Sequence, residues 1–242
     1  MLLASDRLRH AKPNMDIKLN TGQEVIESSS REKLLGGWIS QNLKFTEHVL
    51  GGDSSLIKTL NTRICGLRKV SSFLSFSSRK MIANGIIMSK IMYLIPVWSG
   101  CERYLINSLQ IIQNKAARLV TRCDSQTPVS ILLNQCGWLS VSQLGAYHSL
   151  VLAFKVKSTK CPQYLFEKMW EKELFLYNTR SRSESLIRLG RDRQARTELA
   201  RRSYIYRVTK QWNMLPVEVR EAENLQIFKS EVRQWVKKNV EI

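Results

Sequence analysis

From Ser54 onward the apolar residues of this chain recur every three or four positions, and that spacing leaves little choice of fold. Leu56, Leu60, Ile64, Leu67 and Val70 form one such series, and Leu105, Leu109, Ile112, Ala116 and Leu119 form a second, cleaner one. A repeat near 3.6 residues lines each series along one side of an α-helix, where it can be buried against a neighbour. The pattern predicts helices over 56–70, 78–93, about 103–122, 140–157, 162–174, 200–214 and 224–239. A shorter helix opens at Thr127-Pro128 and ends near Gly137, with proline at its first turn. On the last helix Leu225, Phe228, Val232 and Trp235 make the apolar face.

The first fifty residues follow a different period. Residues 16–20 and 23–27 alternate apolar and polar around Thr21-Gly22, which is a hairpin signal. Residues 33–40 supply another short strand, with Gly36-Gly37 as a bulge or a close backbone approach. The expected fold class is therefore mainly α, a helical bundle with a small β-hairpin remnant at the N-terminus. Gly51-Gly52 is the expected boundary after that remnant, with Ser54 or Ser55 as the next N-cap. Three segments are expected: 1–50, 51–176 and 177–242. The last opens on an Arg-rich extended linker, where apolar spacing fades, and closes on helices.

Charge then narrows the function. The 38 Lys and Arg outnumber the 20 Asp and Glu, a net charge of +18. Between Ser54 and Phe166 the only acids are Glu102 and Asp124, against fourteen Lys and Arg. Such a field repels itself in a folded chain, so a polyanionic partner, nucleic acid first, is expected; an anionic membrane surface and mere solubility are the rivals. Residues 86–98 are the most apolar stretch, but Lys90 interrupts it and Pro96 breaks it, well short of a bilayer span. The first ten residues hold too short an apolar run for a signal peptide. A soluble intracellular protein, nuclear or cytoplasmic and without membrane or small-molecule partners, is expected. The five cysteines lie at 65, 101, 123, 136 and 161, without a CxxC pair, and read as buried reduced thiols.

No active site is legible. Two-metal nucleotidyl transfer needs carboxylates converging on both ions, and no two acids are adjacent anywhere in the chain. Glu167 and Glu171 share a helix face, but Lys168 and Lys172 interleave them, as on a solvated surface. The histidines, His10, His48 and His148, are too far apart to suggest a dyad. No catalytic residue, metal or cofactor is assigned.

The basic positions are more informative. Lys115, Arg118 and Arg122 are spaced by three and four, on a face a quarter to a third of a turn from the apolar stripe. The stripe can dock in a core while the cations reach a phosphate backbone. A second basic set comprises Arg180, Arg182, Arg188, Arg191, Arg193, Arg196, Arg201 and Arg202, since arginine suits phosphate and stacks on bases. Tyr204 and Tyr206 follow it, placed either to stack or to pack in a core. The candidate nucleic-acid-binding residues are Lys115, Arg118, Arg122, Arg180, Arg182, Arg191, Arg193, Arg201 and Arg202.

Four short patterns, in order, resemble the C-terminal part of reverse transcriptases from LINE-type (non-LTR) retrotransposons, of the jockey-like and related groups. Leu35, Gly36, Leu43, Phe45 and His48 match the segment at the end of the palm. Gln113, Asn114, Ala116, Ala117, Arg118 and Thr121 match a QN-x-AAR-x-x-T helix, followed by Thr127-Pro128-Val129 and by Trp138, Leu139 and Val141. Pro162, Tyr164 and Leu165 match a PxYL turn, and Trp212, Asn213, Leu215, Pro216, Arg220, Phe228 and Lys229 match a WN-x-LP segment. The resemblance implies that residues from about Ser54 to Arg122 form a thumb, the element that holds template–primer duplex by its backbone. It carries over no catalytic residue, because the family's aspartate pair belongs to a part upstream of these motifs. Sequence-tolerant binding of DNA, RNA or their hybrid by a truncated reverse-transcriptase-derived chain is the expected activity. Two alternatives stay open: part of an active RNA-directed DNA polymerase whose catalytic half lies elsewhere, or a non-functional mobile-element relic.

Overall fold

The computed structural model describes residues 19–20, 25–26, 29–52, 54–170, 187 and 197–241. It is mainly α, as the periodicity requires, with two short antiparallel hairpins preceding the helices. Strand β1 (Leu19–Asn20) pairs with β2 (Val25–Ile26), Leu19 opposite Ile26, while the predicted Thr21-Gly22 turn lies outside the described residues. Strand β3 (Arg31–Leu34) pairs with β4 (Gly37–Ser40). The expected single strand over 33–40 is thus a hairpin of its own. Leu35 and Gly36 both take positive φ, 48° and 81°, so the chain reverses there instead of bulging.

Two compact units are present. The first comprises Met1–Lys90 with Cys101–Ala116, and the second Ile91–Gly100 with Ala117–Ile242. In the first, a single turn α1 (Thr46–Val49) packs on β4, and α2 (Leu56–Val70) follows with Ser55 as its N-cap, Ser55 Oγ accepting from Lys58 N at 3.4 Å. Leu60, Ile64 and Leu67 are buried as their spacing demands, whereas Val70 is left exposed. A 3-10 turn (Ser71–Phe73) leads to α3 (Phe76–Ala83), which continues through a π-helical stretch (Asn84–Met88) into α4 (Ser89–Met92). The π register shifts the carbonyl ladder, and Arg63 Nη1 donates to Ile86 O there at 2.5 Å.

Helix α6 (Arg103–Thr121) belongs to the first unit as far as Ala116 and to the second beyond it. Leu105, Leu109, Ile112 and Ala116 are buried. Leu119, predicted to continue the stripe, is only half-buried, and Val120 takes the core position instead. The buried face also takes in Ile106, Gln113 and Ala117, so its centre lies nearer Val120 than Leu119.

The second unit is organised on α8 (Val141–Thr159). Ser140 and Gln143 cap its start reciprocally: Ser140 Oγ accepts from Gln143 N at 3.2 Å, and Ser140 N donates to Gln143 Oε1 at 3.0 Å. The preceding helix α7 (Val129–Cys136) ends at Gly137, whose φ of 66° lets Trp138 N reach Leu133 O at 2.8 Å. Consecutive buried residues Leu144, Gly145, Ala146 and, one turn on, Ser149, Leu150 and Val151 show the first three turns of α8 largely covered, and Lys155 is exposed beyond them. Against it pack α5 (Ile95–Trp98), α9 (Gln163–Trp170), α11 (Tyr204–Asn213) and α13 (Leu225–Asn239). Phe154 stacks on Phe228 with ring centroids 4.2 Å apart, and Phe228 lies 5.7 Å from Trp212. On α13, Phe228, Val232 and Val236 are buried, while Leu225 and Trp235 sit at the rim of the core.

The helix predicted over 200–214 is two helices, α10 (Glu198–Arg202) and α11, broken at Ser203. Ser203 is extended (ψ 148°) and its hydroxyl caps α11 by accepting from Tyr206 N at 3.4 Å. That break brings Arg202 O against Gly100, where a Cβ would meet the carbonyl oxygen at 2.2 Å, so only glycine fits. The single turn α12 (Val217–Arg220) joins α11 to α13. No helix among the described residues is long and apolar enough to cross a membrane.

Leu109 is fully buried, so we expect Leu109→Ala to destabilise the chain by about 2–5 kcal/mol, read as a lower urea midpoint at constant m.

Candidate nucleic-acid interface

Many cations of this chain are anchored by backbone carbonyls. In the first unit Arg63 donates to Ile86 O, and Arg79, only 5% exposed, donates to Leu74 O at 2.6 Å. In the second, Arg207 reaches three oxygens: Nε to Arg202 O (2.9 Å), Nη1 to Ser99 Oγ (3.1 Å) and Nη2 to Pro96 O (2.9 Å). Arg233 donates to Gly137 O at 2.6 Å, and Lys157 donates to Arg220 O at 3.1 Å while lying over the Trp212 ring. Burial is the main reason that the Lys157 ammonium pKa is pulled below its ordinary value. These cations are parts of the framework, and the candidates for phosphate contact are those that remain.

The three cations of α6 separate on this criterion. Lys115 is exposed, and no partner faces it among the described residues. Arg118 is half-buried and donates from Nη2 to Ser125 O at 3.3 Å, tying the end of α6 to the loop that follows. Arg122 is exposed, but it lies one residue past the helix with φ 59°. The helix ends at Thr121, whose hydroxyl turns back to Ala117 O at 2.9 Å, so Arg122 does not extend the Lys115–Arg118 face. The shared face expected from spacing is therefore shorter than three residues.

In the second basic set, Arg180, Arg182, Arg191 and Arg193, with Arg188 and Arg196, lie outside the described residues. Arg201 is exposed on α10. Arg202 pairs with Glu198 one turn earlier, and its carbonyl accepts from Arg207. Tyr204 packs: burial pushes its hydroxyl pKa up, and that hydroxyl donates to Ser149 O at 3.1 Å. Tyr206 is half-buried.

Motif residues singled out in the sequence are framework too. Gln113 is fully buried and donates to Met88 Sδ at 3.7 Å; Gln110 Nε2 donates to both Gln113 Oε1 and Asn114 Oδ1. Ala116 and Ala117 are completely covered. Asn213 clamps the backbone of Ile187 from both sides, accepting from Ile187 N at 3.0 Å and donating to Ile187 O at 2.8 Å. Trp212, Leu215 and Phe228 are in the core.

Sequence reasoning passed over one basic group. Arg68 and Lys69 at the end of α2 are exposed, Lys80 on α3 is half-buried, and no carboxylate pairs with them among the described residues. The signal was present as RK and RK pairs bracketing a serine-rich turn, Arg68-Lys69 and Arg79-Lys80. It was masked because Arg79 itself is buried.

Glu167 accepts from Gln163 Nε2 at 2.6 Å on α9, and Glu171 lies outside the described residues. Among the described residues no three His, Cys, Asp or Glu side chains converge. Of the cysteines only Cys136 is buried; Cys65 and Cys161 are exposed, which corrects the expectation of buried thiols. His48 accepts from Trp38 N at 3.5 Å, and His148 packs edge-on against Tyr147, so both imidazoles serve the framework. No family model, curated protein or solved structure matches the chain.

Burial lowers the pKa of both histidines from 6.5, and for His148 the charges of Lys155 and Lys229 add to this. The unfolded chain then takes up protons that the folded chain resists, so stability is full above the unfolded pKa and falls below it. We expect a decline between about pH 7 and pH 5 that His48→Gln with His148→Gln flattens, measured by urea unfolding across pH. On α6 we expect Arg118→Ala to cost about 1 kcal/mol through the lost bond to Ser125 O, and Lys115→Ala to leave the melting temperature unchanged.

Proposed function

We propose that this chain grips nucleic acid by its phosphate backbone, with little regard to base sequence, as the thumb and following region do in LINE-type reverse transcriptases. In this reading it supplies hold and not nucleotidyl transfer. One observation carries the reading: fourteen Lys and Arg between Ser54 and Phe166 face two acids, so the segment cannot neutralise itself. Carbonyl pairing fixes Arg63, Arg79 and Arg118 in place but removes none of their charge. Polyphosphate offers what the chain lacks, a line of anions, and release of condensed counterions drives the association. Exposed Arg68, Lys69, Lys115 and Arg122 are the contacts proposed for that segment, with Arg201 and the arginines at 180, 182, 191 and 193 beyond it.

The test is a salt titration of the purified chain on an RNA–DNA hybrid and on a duplex of unrelated sequence. If roughly six phosphates are neutralised, log K falls against log salt with a slope of about −5 on both. Affinity that hardly changes between low and moderate salt overturns the proposal.

A further inference from the structure

The turn between α2 and α3 is braced from several directions, yet it displays an apolar ring to water. Ser71 Oγ donates to Arg68 O at 2.8 Å, and Leu74 N donates to Ser71 O at 3.3 Å. Ser75 Oγ caps α3 by accepting from Ser78 N at 3.2 Å. Beneath them the buried Arg79 guanidinium holds Leu74 O. On this frame Phe73 is 89% exposed, with Val70 and Phe76 partly exposed beside it in sequence. A phenyl ring held in water forgoes its burial energy, and serine, which fills five other positions of 71–78, would serve the turn as well.

The surroundings say what covers the ring. Arg68 and Lys69 precede the turn and Lys80 follows it; the nearest acids along the chain are Asp53 and Glu102. Such a site complements a polyanion. A flat ring adds the requirement that the polyanion carry flat apolar faces of its own. Single-stranded nucleic acid meets both conditions, since its unpaired bases expose the faces that a duplex keeps stacked. A membrane surface meets only the first, for interfacial insertion uses a broad apolar helix face, whereas Phe73 with the less exposed Val70 and Phe76 is carried on a short turn. We infer that the α2–α3 turn is a stacking platform for an unpaired base, with Phe73 as the ring and Arg68, Lys69 and Lys80 on the adjoining phosphates. The inference rests on the nucleic-acid reading above and adds to it a contact that duplex cannot make.

The experiment uses the full chain and its Phe73→Ala, Phe73→Leu and Phe73→Trp variants. Binding is followed by anisotropy on labelled oligodeoxythymidine and on a long duplex in the same buffer, with phosphatidylserine vesicles as a third arm. Phe73→Ala is expected to weaken oligodeoxythymidine binding roughly five- to a hundredfold, the range that one stacked base contributes. Long-duplex affinity and melting temperature should stay unchanged, because the ring is exposed. Phe73→Trp should restore the lost affinity and Phe73→Leu should not. The platform is overturned by equal losses on single strand and duplex, by no loss, or by full rescue with leucine. Vesicle binding that drops in Phe73→Ala while oligonucleotide affinity holds gives the turn to a membrane. If the unsubstituted chain binds both nucleic acids and Phe73→Ala matches it, the platform alone falls. If the unsubstituted chain binds neither, the nucleic-acid reading falls with it.

Discussion

Guanidinium groups resting on backbone carbonyls are what this fold depends on. A chain with a net charge of +18 cannot place an acid beside every cation, and along Ser54–Phe166 it has almost none to place. A carbonyl accepts a charge-assisted hydrogen bond without contributing charge. Such bonds recur where the chain departs from regular helix: at the π register near Ile86, at the α2–α3 turn, at the end of α6, at the end of α7 and at the α10–α11 break. Ile86 O and Arg202 O belong to helical segments, whereas Leu74 O, Ser125 O and Gly137 O lie in the turns beside them, and in each case an arginine supplies a donor. Arg207 is the fullest case, joining the end of α5 to the start of α11 through three oxygens around Gly100.

This arrangement links stability to function. Cations that shape loops by bonding to carbonyls still contribute to the field around the chain, because a carbonyl oxygen has no formal charge to cancel theirs. The exposed cations then act within a background that is already positive, which favours long-range attraction of a polyanion. In the proposed reading, framework and interface both draw on basic residues, and bonding to carbonyls marks the framework ones. Arg79 and Arg118 shape turns; Arg68, Lys69 and Lys115 project from them.

The second unit shows the same economy in its apolar parts. The first three turns of helix α8 are largely covered, and the aromatic group of Phe154, Trp212 and Phe228 packs beside it. Lys157 extends over Trp212, so that its stem packs while its ammonium finds Arg220 O. Asn213 pairs with the Ile187 backbone much as a strand neighbour would, fixing one residue of an otherwise arginine-rich segment against the core. Residues that read as motifs, Gln113, Asn213 and Trp212 among them, are conspicuous in sequence because they solve such packing problems.

Period and capping were legible in the sequence because both are local. Stripes at three and four residues mark helices, Ser55 marks a start, and Gly137 marks an end, each within a few residues of its effect. Charge imbalance was legible as well, since composition needs no coordinates. What tertiary structure decided was the use of each side chain. Spacing put Lys115, Arg118 and Arg122 on one face, but the helix stops at Thr121 and the following loop claims Arg118. Leu119 yields its core place to Val120, a continuous helix breaks at Ser203, and 33–40 folds back at Leu35-Gly36. Only the folded turn shows that Phe73 is presented to solvent. Local rules fix which element a residue belongs to; which atoms lie within three ångströms of its tip depends on segments far away in the chain.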